Sequence, residues 1–382
     1  MKIFYWSPFL SNIATVDSVT NSVKSIKYYD YEKKIDPIII DSVGEWSQKK
    51  LDNHVFKIRQ LYNYKVYNFL PKKGYLNSRI SQILIFLLSF NSLRKLLIKE
   101  VPEYFIAHLI ISLPLVLFSI FDFKTKLIIR ISGTPKLNFV RKFFWKILSK
   151  KVYKITCPTN STYEKLKELG IFSEDKLVIL YDPIISVKKI NKKKLEKIDE
   201  KFKNEDFILG IGRLTKQKNF KLLIKSFHEI NFRLPKLKLI ILGEGEERAA
   251  LEKLIDDLEL NGKVFIEGHK KNVFNYIYRC KCFVSSSLYE DPGFVIIEAG
   301  FLNKIVFAAD SKTGPSEILD NSKRGFLYKN NNHQDMIRTF LNFIEKDSKN
   351  LLEKKIKLKK YSKNFTIFSH YKSLKKILFN WN

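Results

Sequence analysis

Short apolar runs alternate with amphipathic stretches along the chain. Runs rich in Ile, Leu, Val and Phe at 2–6, 37–41, 55–59, 104–108, 126–131, 154–157 and 176–180 predict short strands. Helical spacing of apolar positions fills much of the intervening chain, at 15–26, 81–90, 91–100, 139–149 and 160–169. Asn or Ser at its start is the expected cap for the last of these. The apolar segment 104–121, YFIAHLIISLPLVLFSIF, is about as long as a minimal membrane-spanning helix. His108 and Pro114 interrupt it. It reads better as a strand followed by a helix with proline in the first turn.

After 180 the pattern lapses. Residues 186–203 are lysine-rich and weakly hydrophobic, and predict a linker or a surface helix. Alternation then resumes more cleanly. Strands are expected at 207–211, 238–242, 264–267, 282–285, 304–308 and 325–328, with helices at 219–231, 246–258, 272–278 and 294–301. Strand–helix alternation with short loops predicts parallel sheets covered on both faces. The fold class is therefore α/β, with two doubly wound, Rossmann-like domains facing across a cleft. The expected boundaries are 1–185 for the first domain, completed by a C-terminal helix at 364–382, then a linker at 186–203 and a second domain at 204–363. Ligands of such sheets bind outside the carboxyl ends of the strands.

A length of 382 residues agrees with two domains. The net charge of +30 implies an anionic partner: nucleic acid, a membrane surface or a phosphorylated substrate. Lysine supplies most of that charge along the whole length, and codon bias toward Lys, Ile, Asn, Phe and Tyr would account for it equally. No zinc finger, RNP motif or basic zipper is present, so nucleic acid is not expected as a partner. Three scattered cysteines, Cys157, Cys280 and Cys282, argue against a disulfide framework and fit a reducing compartment. The amino terminus has no apolar signal core followed by a cleavage site. These features point to a cytoplasmic protein. The stretch 139–151, FVRKFFWKILSKK, mixes aromatic and basic residues. It suits either a helix packed on its own sheet or peripheral contact with an anionic membrane.

Candidate chemistry gathers in the second half, always after a strand. In GIGRLTKQKNF, Gly210 and Gly212 allow close backbone approach, and Arg213 and Lys218 bring two cations to the start of a helix. That arrangement suits a diphosphate. LGEGEER places Gly243 in a second strand-to-helix turn. SSSLYEDPGFVIIEAG sets Glu290 at a loop mouth, Gly293, Phe294 and Val295 at a helix start, and Glu298 just over a turn inside that helix. Two such carboxylates can accept hydrogen bonds from a polyol. The competing reading has Glu290 solvated and Glu298 paired with a lysine. SKTGPSEIL adds a further turn before a short helix.

Together these segments resemble the carboxyl domain of family 4 glycosyltransferases of the bacterial surface-polysaccharide type, retaining enzymes of the GT-B fold. Gly212-Arg213 with Lys218-Asn219 resembles their GR…KN loop, and Leu242-Gly-Glu-Gly-Glu their G-x-G-x-E turn. Glu290 to Glu298 matches their E-x7-E motif, and 313–318 resembles their GP-x-EI loop. The resemblance is clear over 205–330 and loose elsewhere. It implies that Arg213 and Lys218 hold the donor diphosphate without a metal or cofactor. It further implies that Glu290 contacts the donor sugar, Glu298 the ribose, and the Gly293–Val295 backbone the phosphate and sugar, with Gly212 and Gly243 lining the donor site. His108 resembles the family's active-site histidine, and a packed histidine in an apolar segment is the alternative. The loop SPFLSNIATVD lacks the Gly-Gly pair of many members. Ser132-Gly133 stands where some carry His-Gly, so no catalytic role is carried over there.

The expected function is transfer of a sugar from a nucleoside-diphosphate sugar to a glycan or lipid-linked glycan, at the cytoplasmic face of the inner membrane. A nucleotide-sugar epimerase or a phosphorylase of the same fold remains open, as does a non-enzymatic basic membrane or nucleic-acid binder.

Overall fold

Two parallel sheets organise the protein. Their central strands are apolar at nearly every position because helices cover both faces. The computed structural model describes all residues except 11–13, 50, 53, 63–65, 72, 73, 132–137, 312, 313, 346 and 380–382. In chain order, the first part comprises β1 (Lys2–Trp6), α1 (Ala14–Tyr29), β2 (Asp36–Asp41), β3 (Lys57–Gln60), α2 (Tyr75–Glu100), β4 (Tyr104–Ala107), α3 (Ser112–Ile120), β5 (Lys126–Arg130), α4 (Phe139–Leu148), β6 (Val152–Cys157), α5 (Asn160–Glu168) and β7 (Leu177–Ile179). There follow α6 (Val187–Lys193), β8 (Phe207–Ile211), α7 (Phe220–Arg233), β9 (Lys238–Leu242), α8 (Arg248–Asp257), β10 (Val264–Ile266), α9 (Phe274–Arg279), β11 (Cys282–Ser285), α10 (Phe294–Phe301), β12 (Ile305–Asp310), α11 (Pro315–Leu319), β13 (Phe326–Lys329), α12 (His333–Ile344), α13 (Ser348–Ser362) and α14 (Ile367–Phe379).

The chain divides into two compact units, Met1–Ile184 with Ile367–Asn382, and Ile185–Thr366. In the first, the strand order is β3-β2-β1-β4-β5-β6-β7. Alternate residues of β1 face opposite cores, as the strand period requires. Phe4 and Trp6 pack with Ile85, Leu93 and Leu117 from α2 and α3, while Ile3 and Tyr5 pack with Val19 and Val23 of α1 and Leu374 of α14. In the second unit the order is β10-β9-β8-β11-β12-β13. Each sheet reverses its winding direction once, between β1 and β4 and between β8 and β11. Those switch points open a crevice at the carboxyl ends of the strands.

The segment 104–121 forms β4 and α3, with Pro114 buried in the helix's first turn. The two helices expected at 81–90 and 91–100 are one, α2, of 26 residues. Nothing at Asn91 breaks it: neither glycine nor proline stands there.

The linker expected at 186–203 is instead part of the second unit. Ile190, Ile198 and Phe202 are buried, and Asn272 and Asn275 donate to the carbonyls of Lys193 and Lys197 at 2.9 and 2.7 Å. A few apolar side chains anchor the stretch while its lysines stay in water. The closing helix begins at Ile367 rather than 364, because Phe365 is still bound to the second unit through its carbonyl, which accepts from Ile185 N at 3.0 Å.

Candidate active site

Two loops flank the switch point of the second unit, one after β8 and one after β11. Direct hydrogen bonds tie them together. Gln217 O accepts from Leu288 N at 2.9 Å, Gln217 Nε2 donates to Tyr289 O at 3.0 Å, and Ser286 Oγ donates to Lys218 O at 2.8 Å. On this frame the Lys218 ammonium is ion-paired with Glu290 Oε1, both side chains being largely buried. Ser287 Oγ donates to the same carboxylate oxygen at 2.7 Å. Arg213 lies on the first loop with its side chain exposed. Two cations and one carboxylate thus share one loop pair.

The turn after β9 has a different task. A Cβ at Gly243 would sit 1.8 Å from the carbonyl oxygen of Gly212. Only glycine permits that approach, so Gly243 shapes the loop bearing Arg213 by letting its backbone lie close. The Lys218 stem in turn runs along Gly212.

Gly293 precedes α10 with φ of 96°, a left-handed conformation that turns the chain into the helix. The first N–H groups of a helix have no partner within it, so Phe294 and Val295 present donors at the positive end of the helix dipole. Glu298 lies further along α10. Its carboxylate makes no hydrogen bond or ion pair with another described residue, so the expected alternative of a lysine partner is not what the structure has. Burial pushes it up to about 7, with the nearby charge of Lys189 offsetting part of that rise.

A pH-dependent stability follows. Between its ordinary value of 4.5 and about 7, the folded protein keeps a proton that the unfolded chain has released. Stability contributed at this site is therefore lost as pH rises through that window. Glu298→Gln is expected to be near wild type at about pH 4 and more stable at about pH 8, by at most about 3 kcal/mol. Urea unfolding followed by circular dichroism at the two pH values measures this; an equal offset at both would contradict it.

His108 lies in the first unit, directly after β4. It is buried, stacks on Tyr5 with ring centroids 6.0 Å apart, and its Nδ1 has no hydrogen-bond partner. Burial, with the charge of Arg130, lowers its pKa to about 3, so the imidazole is neutral at neutral pH. Beside it Arg130 and Asp182 form a buried ion pair, with Nε to Oδ1 at 2.9 Å, and Ser18 Oγ donates to Asp182 at 2.7 Å. Although burial opposes ionisation, Arg130 holds the Asp182 carboxyl below its ordinary value. His370 of α14 bridges Ser22 Oγ and the Tyr181 carbonyl, each at 2.8 Å.

Lys218, Glu290, Gly212 and Gly243 thus lie in one connected loop system, with Arg213 on the same loop as Lys218. Glu298 stands apart on α10. Gln217, Ser287, Arg130, Asp182 and His370 were not singled out from sequence. Ser287 stands three residues before Glu290 and Gln217 directly before Lys218, both local signals, whereas Arg130, Asp182 and His370 are brought near His108 only by the fold of the first unit. Ser132, Gly133 and Thr313 lie outside the described residues. Among the described residues no group of three His, Cys, Asp or Glu is placed to hold a metal ion. Cys157, Cys280 and Cys282 are buried free thiols.

Residues 191–365 match the family model described as glycosyl transferases group 1. The chain is similar to a Campylobacter jejuni protein named N-acetylgalactosamine-N,N'-diacetylbacillosaminyl-diphospho-undecaprenol 4-alpha-N-acetylgalactosaminyltransferase, at 31% identity over 59% of this chain and 62% of that one. It spans less than two thirds of the length of the curated relatives it matches. Among solved structures, a glycosyltransferase from Rickettsia africae superposes with a TM-score of 0.75 at 16% identity, covering 99% of this chain and 98% of that one. Anabaena Alr3699/HepE in complex with UDP superposes with a TM-score of 0.73 at 15% identity, covering 100% of both chains. The fold is that of the GT-B glycosyltransferases, and the stretch 191–365, which carries the loop pair after β8 and β11, is similar to glycosyl transferases group 1.

Proposed function

We propose that this protein is a retaining glycosyltransferase of surface-polysaccharide synthesis. It would move a sugar from a nucleoside-diphosphate donor to a glycan or lipid-linked glycan at the cytoplasmic face of the membrane. The observation that carries the reading is the joined loop pair after β8 and β11, with Arg213, Lys218 and Glu290 on it. In this reading Arg213 and Lys218 neutralise the charge that builds on the diphosphate as the bond from the sugar's anomeric carbon to the diphosphate oxygen breaks. Preorganised cations of that kind stabilise the transition state more than the ground state. Glu290 and Glu298 accept hydrogen bonds from donor sugar and ribose hydroxyls, and the start of α10 receives phosphate oxygens. Neutral His108 belongs to the acceptor side.

The Anabaena structure with UDP supports a uridine nucleotide as one donor to test. The Campylobacter relative's name places its acceptor on a diphospho-undecaprenol lipid and its product in alpha linkage, which accords with a lipid-linked acceptor and with retention from an alpha-linked donor.

Two cations can replace a divalent ion electrostatically, so no metal or cofactor is expected to be required. Thermal-shift measurements with nucleoside diphosphates and their sugars, in EDTA, test donor binding. At about a hundred-fold excess over Kd, binding should stabilise the fold by about 2.7 kcal/mol. Transfer should continue in EDTA. Loss of transfer in EDTA with recovery on adding magnesium would overturn metal independence. Conversion of the donor sugar without any acceptor would favour an epimerase. Salt-sensitive nucleic-acid binding without a nucleotide response would favour the binding-protein alternative.

A further inference from the structure

Helix α2 is apolar on both sides, yet only one side is covered. Ile85, Leu93 and Leu97 enter the core against the first sheet. Leu76, Ile80, Ile83, Leu84, Leu87 and Leu88 form a stripe on the opposite side. All six are exposed, Leu76 at 74%, Ile83 at 59% and Leu87 at 64%. At 1.5 Å per residue the stripe runs about 18 Å. A helix hydrophobic all round is normally enclosed, and a continuous apolar patch of this kind on a protein surface marks an interaction site.

Charge indicates the occupant. Among the residues of α2, the cations Arg79, Arg94, Lys95 and Lys99 outnumber the single acid, Glu100, which is engaged by Lys2 at 3.0 Å and Arg59 at 3.5 Å. Helix α3 packs against both α2 and α4, which places all three on one side of the sheet. On α4, Phe143, Phe144 and Ile147 are exposed beside Arg141, Lys142 and Lys146, and that helix has no acidic residue. Apolar side chains rimmed by cations match the boundary between acyl chains and anionic headgroups. By length and composition α2 could cross a membrane. Its packed face, however, closes the core of the first unit, so it is suited to lying in the interface rather than spanning it.

We infer that α2 is the principal membrane-docking element, that α4 assists it, and that the occupant of this face is an anionic lipid bilayer. This deepens the peripheral contact included in the proposed function, and it is measured without a sugar donor, so its failure leaves the glycosyltransferase reading standing. The test is flotation of the full chain with vesicles of phosphatidylcholine alone and of phosphatidylcholine with phosphatidylglycerol. Wild type should float with the anionic vesicles and bind neutral ones more weakly. The double variant Ile83→Gln/Leu87→Gln should bind at least about tenfold less, with an unchanged tryptophan-fluorescence unfolding midpoint. Phe143→Ser/Phe144→Ser, on the separate helix, should show a smaller loss. Absence of binding by wild type at low salt would overturn the inference, as would full binding by the α2 variant. So would resistance to extraction by alkaline carbonate, which indicates a spanning helix. Light scattering that shows a dimer abolished by the α2 substitutions would assign the face to a second copy instead.

Discussion

Arg213→Ala is expected to lower kcat for transfer by roughly 30- to 1000-fold, about 2–4 kcal/mol of transition-state stabilisation, while leaving the unfolding midpoint near wild type. The two parts of this result have separate causes. The side chain is exposed, so truncation removes little packing, and surface changes of that sort usually stay within about 0.5 kcal/mol. Its charge sits on the loop after β8, where the proposed function has a departing diphosphate gain negative charge. Lys218→Ala should lose activity by a similar factor and stability as well, because Glu290 would keep its carboxylate largely buried without its ion-pair partner. Comparing kcat and the urea midpoint in both variants separates a catalytic cation from one that serves the fold. If turnover and nucleoside-diphosphate affinity are unchanged in both, the loop pair is not the donor site.

Asp182→Asn should destabilise the first unit by about 3–5 kcal/mol, the usual cost of stranding one partner of a buried ion pair. Side-chain exposure is 6% for Arg130 and 3% for Asp182, so the guanidinium has little access to water with which to replace the lost charge. The measurement can be confined to this unit, since Trp6, Trp46 and Trp145 lie in it and residues 185–366 contain no tryptophan. Intrinsic fluorescence during urea unfolding therefore reports the first unit without assuming that both unfold together. The sign with pH follows from the depressed pKa of Asp182. Its stabilisation is complete above the unfolded value, about 3.9, and is lost as pH falls through the lower folded value. The gap between wild type and variant should be full at neutral pH and close in acid. A gap that persists unchanged in acid would mean that the asparagine acts through something other than charge.

The central strands and the motif loops were legible because their signals are local. A parallel strand buried on both faces must be apolar along its length, as β1, β8 and β9 are. A turn suited to a phosphate carries its glycine and cations within a few residues, so GIGRLTKQKN offers its candidate chemistry without a fold. Even Glu290 and Glu298 could be singled out as a pair, seven residues between them, before anything showed that one is ion-paired with Lys218 and the other has no described partner.

Tertiary structure decided the rest, because the relevant partners are distant in sequence. Arg130 and Asp182 are separated by 52 positions and Ser18 and Asp182 by 164, and no periodicity links them. Residues 186–203 look like a linker by composition, yet three apolar side chains suffice to fasten them to the second unit. In α2 the apolar residues on its two sides are indistinguishable in the sequence. Only the packing of Ile85 and Leu93 against the sheet shows that Ile83 and Leu87 face outward. Hydrophobic pattern determines which residues seek to leave water; the arrangement of the neighbouring elements determines which of them succeed.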